Sequence, residues 1–366
     1  MDPSQFGSIK NSSTTHALLK VLQPIYKALD DSQNFARLLF IDFSKAFDHI
    51  DHTILLGKLE NNLAPPIVVQ WYRGFLSHRQ QRVKIGHTVS QWKYVKGGVP
   101  QGTLSGPELF IHMVSDLHTD VPDVKYMDDT TLVEIKKKAE GSSMDIAAAQ
   151  VQDWSSGNRL GVNATKTKEM VIAFGKQPTL APLSLDGTII ERVSQTKLLG
   201  VIISSDLKWD ANTEYLHKKS TKRLYYLRCL KRAGVSDNDL LRVYLALVRS
   251  VCEYACPVWS TCLTQGQSEL LESVQRRALR IIRPGLPYKD ACEYFRIPTL
   301  KDRRIKLCEM FFMSLCKPEH YLHDMLPEAR NVAYGLRNTN KYPVPRCKTN
   351  RYKNSFIPWC LFNCQQ

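Results

Sequence analysis

Two hydrophobic rhythms follow one another along this chain, and the switch between them limits its fold more than any other feature. Over 1–206, short apolar runs of strand length alternate with amphipathic stretches of helical period, as in a sheet that carries helices on its faces. Over 207–366 the helical period alone persists. The chain should therefore fold as an α/β or α+β region followed by a mostly α-helical one. With 366 residues, 43% of them hydrophobic, it has enough apolar material to bury a core in each region.

Charge divides at the same place. Residues 1–206 carry 22 Lys and Arg against 21 Asp and Glu, a net +1, whereas 207–366 carry 28 against 14, which is +14 of the chain's +15. A basic helical region of this kind calls for a polyanionic partner, either nucleic acid or an anionic membrane surface. The membrane is the poorer choice. The most apolar stretch, 240–259, contains Arg242, Arg249 and Glu253, and the first sixteen residues lack an apolar signal core. The expected setting is intracellular, nucleus or cytoplasm, and not secreted. All 10 cysteines fall between Cys229 and Cys364 without a C-x-x-C pair, which suits reduced, mostly buried thiols. Cys347, Cys360 and Cys364 with His320 or His323 form the competing zinc arrangement, at spacings that match no common module.

Residues 37–43 (RLLFIDF) read as a buried strand with Asp42 near its C-terminal end, and Phe47, Ile50, Ile54, Leu55 and Leu59 then recur at helical spacing over 47–59. Residues 81–85 and 88–95 flank Gly86 as a hairpin. The stretch 97–102 (GGVPQG) is a loop, after which Thr103 caps a helix running towards Asp116. Two β-prone runs, 124–127 and 130–135, are joined through Asp128 and Asp129, so a pair of carboxylates sits at a hairpin tip. A helix at 144–160, a strand at 168–174, and strands at 184–190 and 197–204 around Gly187 and Gly200 complete the first region. Helices are expected at 213–233, at 237–254 opened by Ser236, and at 268–282.

One acid at a strand end and two more on a distant turn suit a demanding reaction. When a primer 3′ oxygen attacks an α-phosphorus and pyrophosphate leaves, two divalent ions about 4 Å apart can neutralise both oxygens. Mg²⁺ takes carboxylates from separate elements, with an occasional backbone carbonyl. A single Asp after a strand is as readily a helix cap, and an Asp-Asp turn as readily solvated, so the surrounding motifs must decide. Asp48, His49, Asp51 and His52 pose a similar choice. Positions i and i+4 share a helix face and so could hold a metal, yet acids in a first helical turn also simply favour the dipole.

In sequence order, FIDFSKAFD around Asp42, GVPQG with Gln101 and Gly102, and YMDD with Asp128 and Asp129 resemble motifs A, B and C of reverse transcriptases. The longer stretches DFSKAFDHIDH and GGVPQG, NATKT with Lys166, and KLLG with Leu198, Leu199 and Gly200 resemble the non-LTR (LINE-like) retrotransposon enzymes in particular, over most of the chain. The resemblance implies an α+β right-hand polymerase: a palm of antiparallel sheet and helices with a remnant of the fingers at 1–206, a basic helical thumb at 207–330, and a basic C-terminal extension at 331–366.

The resemblance also implies roles. Asp42 and Asp128 are the metal ligands, with Asp129 beside them and the backbone carbonyl of Phe43 as a further ligand, for two Mg²⁺ ions that Mn²⁺ can replace. Lys166 protonates the departing pyrophosphate, Lys168 being the lesser candidate. Gln101 and Gly102 shape the nucleotide pocket. Phe47 bars ribonucleotides by bulk, its rival role being that of a core aromatic. Leu198, Leu199 and Gly200 form the primer grip. Arg276, Arg277 and Arg280, with Arg283, Arg303, Arg304 and Lys306, meet phosphates. The implied partners are an RNA template, a DNA primer and deoxynucleoside triphosphates, with no membrane and no obligate protein partner.

Only about forty residues precede Asp42, with Lys10, Lys20, Lys27 and Arg37 the basic ones, so the fingers' triphosphate clamp and both nuclease domains are expected to be missing from this stretch. Ser105 and Glu108 stand where the resembling enzymes have apolar residues, which puts a charge on a helix expected to pack. An active RNA-directed DNA polymerase, a catalytically weak remnant that binds nucleic acid, and an unrelated basic protein are the three readings left.

Overall fold

The computed structural model describes residues 2–330 and 341–364; the opening of the expected C-terminal extension, 331–340, and its end, 365–366, lie outside the described residues. Two compact units emerge, one of residues 1–17, 36–171 and 177–193, the other of 18–35, 172–176 and 194–366. The second unit takes in 194–206 along with the helices that follow. The hairpin of β12 (Gln195–Leu198) and β13 (Val201–Ser204) belongs with the helix at 210–232, where Asn212 Oδ1 accepts the Ile202 N–H at 3.1 Å. Residues 341–364 are likewise part of this unit.

In the first unit a five-stranded sheet runs in the order β11 (Glu191–Arg192), β8 (Lys168–Ala173), β1 (Asn34–Ile41), β7 (Asp129–Lys137), β6 (Asp123–Tyr126), and β9 (Ser184–Leu185) pairs antiparallel with β10 (Thr188–Ile189) as a separate hairpin. The central β1, NFARLLFI, is buried along nearly its whole length, which is why its residues are apolar on both faces apart from Asn34 and Arg37. β6 and β7 form an antiparallel hairpin, but β11 runs parallel to β8, so the expected antiparallel sheet is mixed at that edge. Residues 4–6 lie along β6, with Phe6 N–H on Lys125 O and Lys125 N–H on Ser4 O, both at 2.8 Å. One core joins Leu39 and Ile41 of β1 to Leu55 and Leu59 of α2 (His52–Asn61), Leu109, Phe110 and Met113 of α4 (Ser105–Val114) and Val151 of α5 (Met144–Gly157). α1 (Thr14–Ala28) falls mostly in the second unit, and α3 (Pro66–Leu76) in the first.

Two charge clusters are sealed inside this unit. Arg37, one of the four basic residues ahead of Asp42, is only 2% exposed and donates to Glu169 (1% exposed) at 2.5 Å, and Arg192 donates to the same carboxylate at 2.9 Å. Lys125 is fully buried between Asp2 (2.8 Å) and Asp123 (3.3 Å). The expected helix at 47–59 starts only at His52. Asp51 accepts from Thr53 N–H (2.8 Å) and Ile54 N–H (3.2 Å), a cap that fixes the start, while Lys45 at φ 47° turns the chain ahead of it. Glu108 is exposed and accepts from Tyr72 Oη at 3.1 Å, so it does not occupy a packing face as expected.

The second unit is built on α6 (Asp210–Arg232), α7 (Asp237–Val243) capped by Ser236, α10 (Gln265–Ile282) opened by a Thr264–Gln267 capping box, and α12 (Leu300–Leu315) capped by Thr299. The helix expected at 237–254 is interrupted by a π-helical segment, Tyr244–Arg249, before α8 (Ser250–Glu253). The short α9 (Cys256–Trp259), α11 (Tyr288–Tyr294), α13 (Asn350–Lys353) and α14 (Phe356–Asn363) complete it. All ten cysteines are free thiols, and five of them, Cys252, Cys256, Cys292, Cys308 and Cys360, are buried.

Candidate active site

Asp42 follows the last residue of β1, where the strand leaves the sheet. Its backbone is pinned on both sides: the Asp42 N–H donates to Thr167 Oγ1 at 3.3 Å, and its carbonyl accepts the Asn163 N–H at 2.7 Å. The next residue, Phe43, bridges antiparallel to Val162, so the NATKT loop is zipped against the strand end. That pairing carries Lys166 to Asp42, with Nζ 3.9 Å from Oδ2; Lys166 is largely exposed and free to reorient. Lys168 instead turns to Glu191 at 2.7 Å and to the Thr165 carbonyl at 2.9 Å.

The β6–β7 register pairs Tyr126 with Asp129, which leaves Met127 and Asp128 as the two-residue tip. Met127 takes φ 59°, a left-handed conformation that a non-glycine residue holds only when its surroundings enforce it. Gln5 and Gly7 supply that enforcement. Gln5 Oε1 accepts both the Met127 N–H (2.9 Å) and the Gly7 N–H (2.8 Å), and a Cβ built on Gly7 would stand 2.5 Å from the Met127 nitrogen. Sequence reasoning missed this support, because a Gln and a Gly far upstream of the turn carry no local signal of it.

The three carboxylates act on one another. Burial raises the Asp128 pKa and the Asp42 charge adds to it; Asp129 is pushed up to about 6 by burial and then by the charges of Asp128 and Asp42. Among the described residues no three His, Cys, Asp or Glu side chains already form a closed ion cage. The donor set still suits a divalent ion, because mutually repelling hard oxygens from two separate elements are what such an ion neutralises.

The GGVPQG loop is stitched to the chain beyond Asp42. Val99 N–H donates to the Phe47 carbonyl and Gly98 N–H to the Ile50 carbonyl, both at 2.8 Å, and Gln101 Nε2 donates to Asp48 Oδ1 at 3.0 Å. Gly98, at φ 81°, lies so close to Asp48 that a Cβ would meet its carbonyl oxygen at 2.7 Å. Gly102, exposed at φ 78°, turns the loop towards α4; Leu104 and not the expected Thr103 holds the cap position, but Thr103 Oγ1 still accepts the Gly106 N–H at 3.1 Å from one residue further out. Phe47 is half-buried, its ring stacked on Phe110 with centroids 4.6 Å apart. The metal arrangement weighed for Asp48, His49, Asp51 and His52 is not formed. Asp48 holds Gln101, Asp51 caps α2, and His52 Nε2 bonds the Gly98 carbonyl at 2.7 Å.

In the second unit Leu198, Leu199 and Gly200 form the β12–β13 turn, with Leu199 at φ 45° and Gly200 at φ 86°, as a two-residue hairpin loop requires. Tyr254 Oη donates to the Leu199 carbonyl at 2.7 Å and holds the turn. Among the arginines read as phosphate contacts, Arg280 is exposed and Arg277 half-buried, whereas Arg276 pairs with Glu269 at 2.5 Å, Arg283 with Asp237 at 3.2 Å and Arg303 with Glu253 at 3.3 Å; Lys306 lies 3.8 Å from Glu309. Arg304 is a correction. It is buried, with Nη2 donating to Ser268 Oγ at 2.8 Å, because α12 turns that face into the unit's core. No zinc cluster forms from the cysteines and histidines among the described residues, and no helix there is long and apolar enough to cross a membrane.

Known proteins carry the same pattern. Residues 1–203 match the family model for reverse transcriptase (RNA-dependent DNA polymerase), and residues 209–250 match that for the N-terminal part of alkylated DNA repair protein alkB homolog 8, a likeness that spans α6, α7 and the π-helical segment. The probable RNA-directed DNA polymerase from transposon X-element of Drosophila melanogaster is 23% identical over 93% of this chain and 37% of its own length. The RNA-directed DNA polymerase from mobile element jockey of the same species is 24% identical over 85% of this chain and 35% of its own. The chain thus spans little more than a third of the length of these curated relatives. A telomerase from Candida tropicalis, solved with a TWJ fragment of telomeric RNA, aligns at 10% identity and a TM-score of 0.43 over 87% of this chain and 47% of that one, too loose a likeness to argue from. With the family model covering more than half of its residues, the chain belongs to the reverse transcriptase (RNA-dependent DNA polymerase) family, in its non-LTR, LINE-like branch.

Proposed function

We propose that this chain carries the catalytic palm of an RNA-directed DNA polymerase that extends a DNA primer on an RNA template with deoxynucleoside triphosphates. The observation that carries the reading is the electrostatic meeting of Asp42 with Asp128 and Asp129 across 86 positions of sequence, with Lys166 Nζ 3.9 Å from Asp42. Asp42 and Asp128 would hold two Mg²⁺ ions, with Asp129 beside them and the Phe43 carbonyl as a further ligand, and Mn²⁺ as a substitute. Bound there, the ions supply Lewis-acid stabilisation of the attacking and leaving oxygens. Lys166 would pass a proton to the leaving pyrophosphate. Gln101, held by Asp48, and Gly102 shape the floor under the incoming nucleotide. Phe47, backed by Phe110, limits the space beside its sugar.

In the second unit, Leu198, Leu199 and Gly200 would touch the primer end, and Arg277 and Arg280, with Arg276 released from Glu269, would meet the duplex backbone. The test is Mn²⁺ binding followed by electron paramagnetic resonance. The wild-type chain should bind Mn²⁺ in a form that Mg²⁺ displaces, and Asp42→Asn or Asp128→Asn should weaken binding by about tenfold or more. Unchanged Mn²⁺ affinity in both variants would remove the carboxylate site from the account.

A further inference from the structure

The 47 positions between Glu60 and Glu108 contain no acidic residue, but they include Arg73, Arg79, Arg82, Lys84, Lys93 and Lys96. At their centre stands a two-stranded ribbon. β2 (Gln80–Gln81) pairs with β5 (Lys93–Tyr94), and β3 (Lys84–Ile85) with β4 (Thr88–Val89). The register slips by one residue between the Gln81–Lys93 and Lys84–Val89 pairs, which marks a bulge in the returning strand. Every residue from 80 to 94 is exposed, so neither face of the ribbon is packed. A hairpin without a packed face is marginal in water.

The ribbon is also unusually rich in exposed planar and apolar side chains. Trp92 is 56% exposed and Tyr94 66%, and Val83, Ile85 and Val89 are exposed beside them. The guanidinium of Arg82 lies 4.6 Å over the Trp92 ring. A second column leads from α3 towards the ribbon: Trp71, itself 56% exposed, stacks on Phe75 at 5.2 Å, and Arg79 lies 5.6 Å from the Phe75 ring. Lysines on a bare strand edge also serve to block unwanted pairing, but that purpose calls for neither exposed indoles nor the exclusion of every acid over 47 positions.

We propose that this ribbon, together with Trp71 and Arg79, is a binding platform for single-stranded nucleic acid. Bases stack on the exposed rings, and the phosphates meet the surrounding Arg and Lys side chains. A duplex hides its base faces, so the platform selects unpaired strands. The proposal goes beyond the polymerase reading and stands apart from the carboxylates, since it concerns residues that touch none of them and predicts binding whether or not the chain extends a primer.

Fluorescence anisotropy with labelled single strands of RNA and of DNA, about 20 nucleotides long, tests it against a duplex of the same length. Trp92→Ala with Tyr94→Ala should weaken single-strand binding by about tenfold or more, leave duplex binding within about twofold, and keep the salt dependence unchanged. Trp92→Phe with Tyr94→Phe should restore most of the loss, because the rings are kept. Arg82→Gln, Lys84→Gln and Lys93→Gln together should flatten the logarithmic salt dependence by about 2, at about 0.7 per phosphate contact on a single strand. The proposal is overturned if the alanine pair leaves single-strand binding intact, if it weakens duplex equally, or if the phenylalanine pair behaves like the alanine pair. It is also overturned if vesicles of anionic phospholipid bind the ribbon more tightly than either single strand and lose that binding with the same substitutions.

Discussion

Asp129→Asn should stabilise the metal-free chain near neutral pH, although it removes a charge from the centre of the site. The Asp129 pKa is raised from 3.8 to about 6 by burial and by the neighbouring charges of Asp128 and Asp42, so folding favours the protonated acid. The resulting penalty is absent below the ordinary carboxylate pKa, grows as pH rises, and is complete above about 6. The rise from 3.8 to about 6 corresponds to about 3 kcal/mol at most. Asp129 nevertheless keeps part of its surface in water, and solvent screening reduces the expected gain to about 1 kcal/mol. Urea unfolding with a chelator present, at about pH 7.5 and about pH 4.5, reads it out. The variant should gain about 1 kcal/mol at the higher pH and less than half of that at the lower. Saturating Mg²⁺ should then stabilise the wild type more than the variant, because the ion supplies the missing counter-charge. An equal gain at both pH values, or a loss at pH about 7.5, would refute the electrostatic argument.

Other outcomes follow from the same structure. Glu169→Gln strips the shared carboxylate from buried Arg37 and from Arg192, and should cost about 3 to 5 kcal/mol in a chemical melt, whereas a cost under about 1 kcal/mol would mean that the guanidiniums find other partners. Gly7→Ala forces a Cβ against the Met127 nitrogen and should cost about 1 to 3 kcal/mol while changing metal affinity at the carboxylates, and an unaffected Mn²⁺ signal would show the turn is held without Gly7. Phe47→Val, in a chain that extends primers, should raise ribonucleotide incorporation relative to deoxynucleotide; equal loss of both, with a lower Tm, would identify Phe47 as a packing residue stacked on Phe110.

What could be read from the sequence was whatever local chemistry announces. The apolar run before Asp42, the β-prone runs around Asp128 and Asp129, and the glycines of GGVPQG each state their conformation within a few residues, and the strand, hairpin and loop are found there. Long-range partnerships were not legible. Nothing near Arg37 signals that Glu169 and Arg192 will neutralise it inside the sheet. Arg304 was misread for the same reason, because a helix shows which residues share a face but not which face meets the core. The start of α2 was misplaced by five residues because Asp51 was taken as a charge near a helix start and not as its cap. Gln5 and Gly7 support the Met127–Asp128 turn from more than a hundred residues away, beyond the reach of any pattern in one sequence.

The most direct measurement is primer extension on an RNA template, with a labelled DNA primer, all four deoxynucleoside triphosphates and Mg²⁺, comparing the wild-type chain with Asp128→Asn. The account predicts addition of the nucleotides complementary to the template, abolished by chelation and reduced at least about a hundredfold by Asp128→Asn. Extension by Asp128→Asn at the wild-type rate would contradict it. So would a wild-type chain that binds an RNA–DNA duplex in a salt-sensitive manner but adds no nucleotide, the behaviour of a remnant that has kept its grip and lost its chemistry.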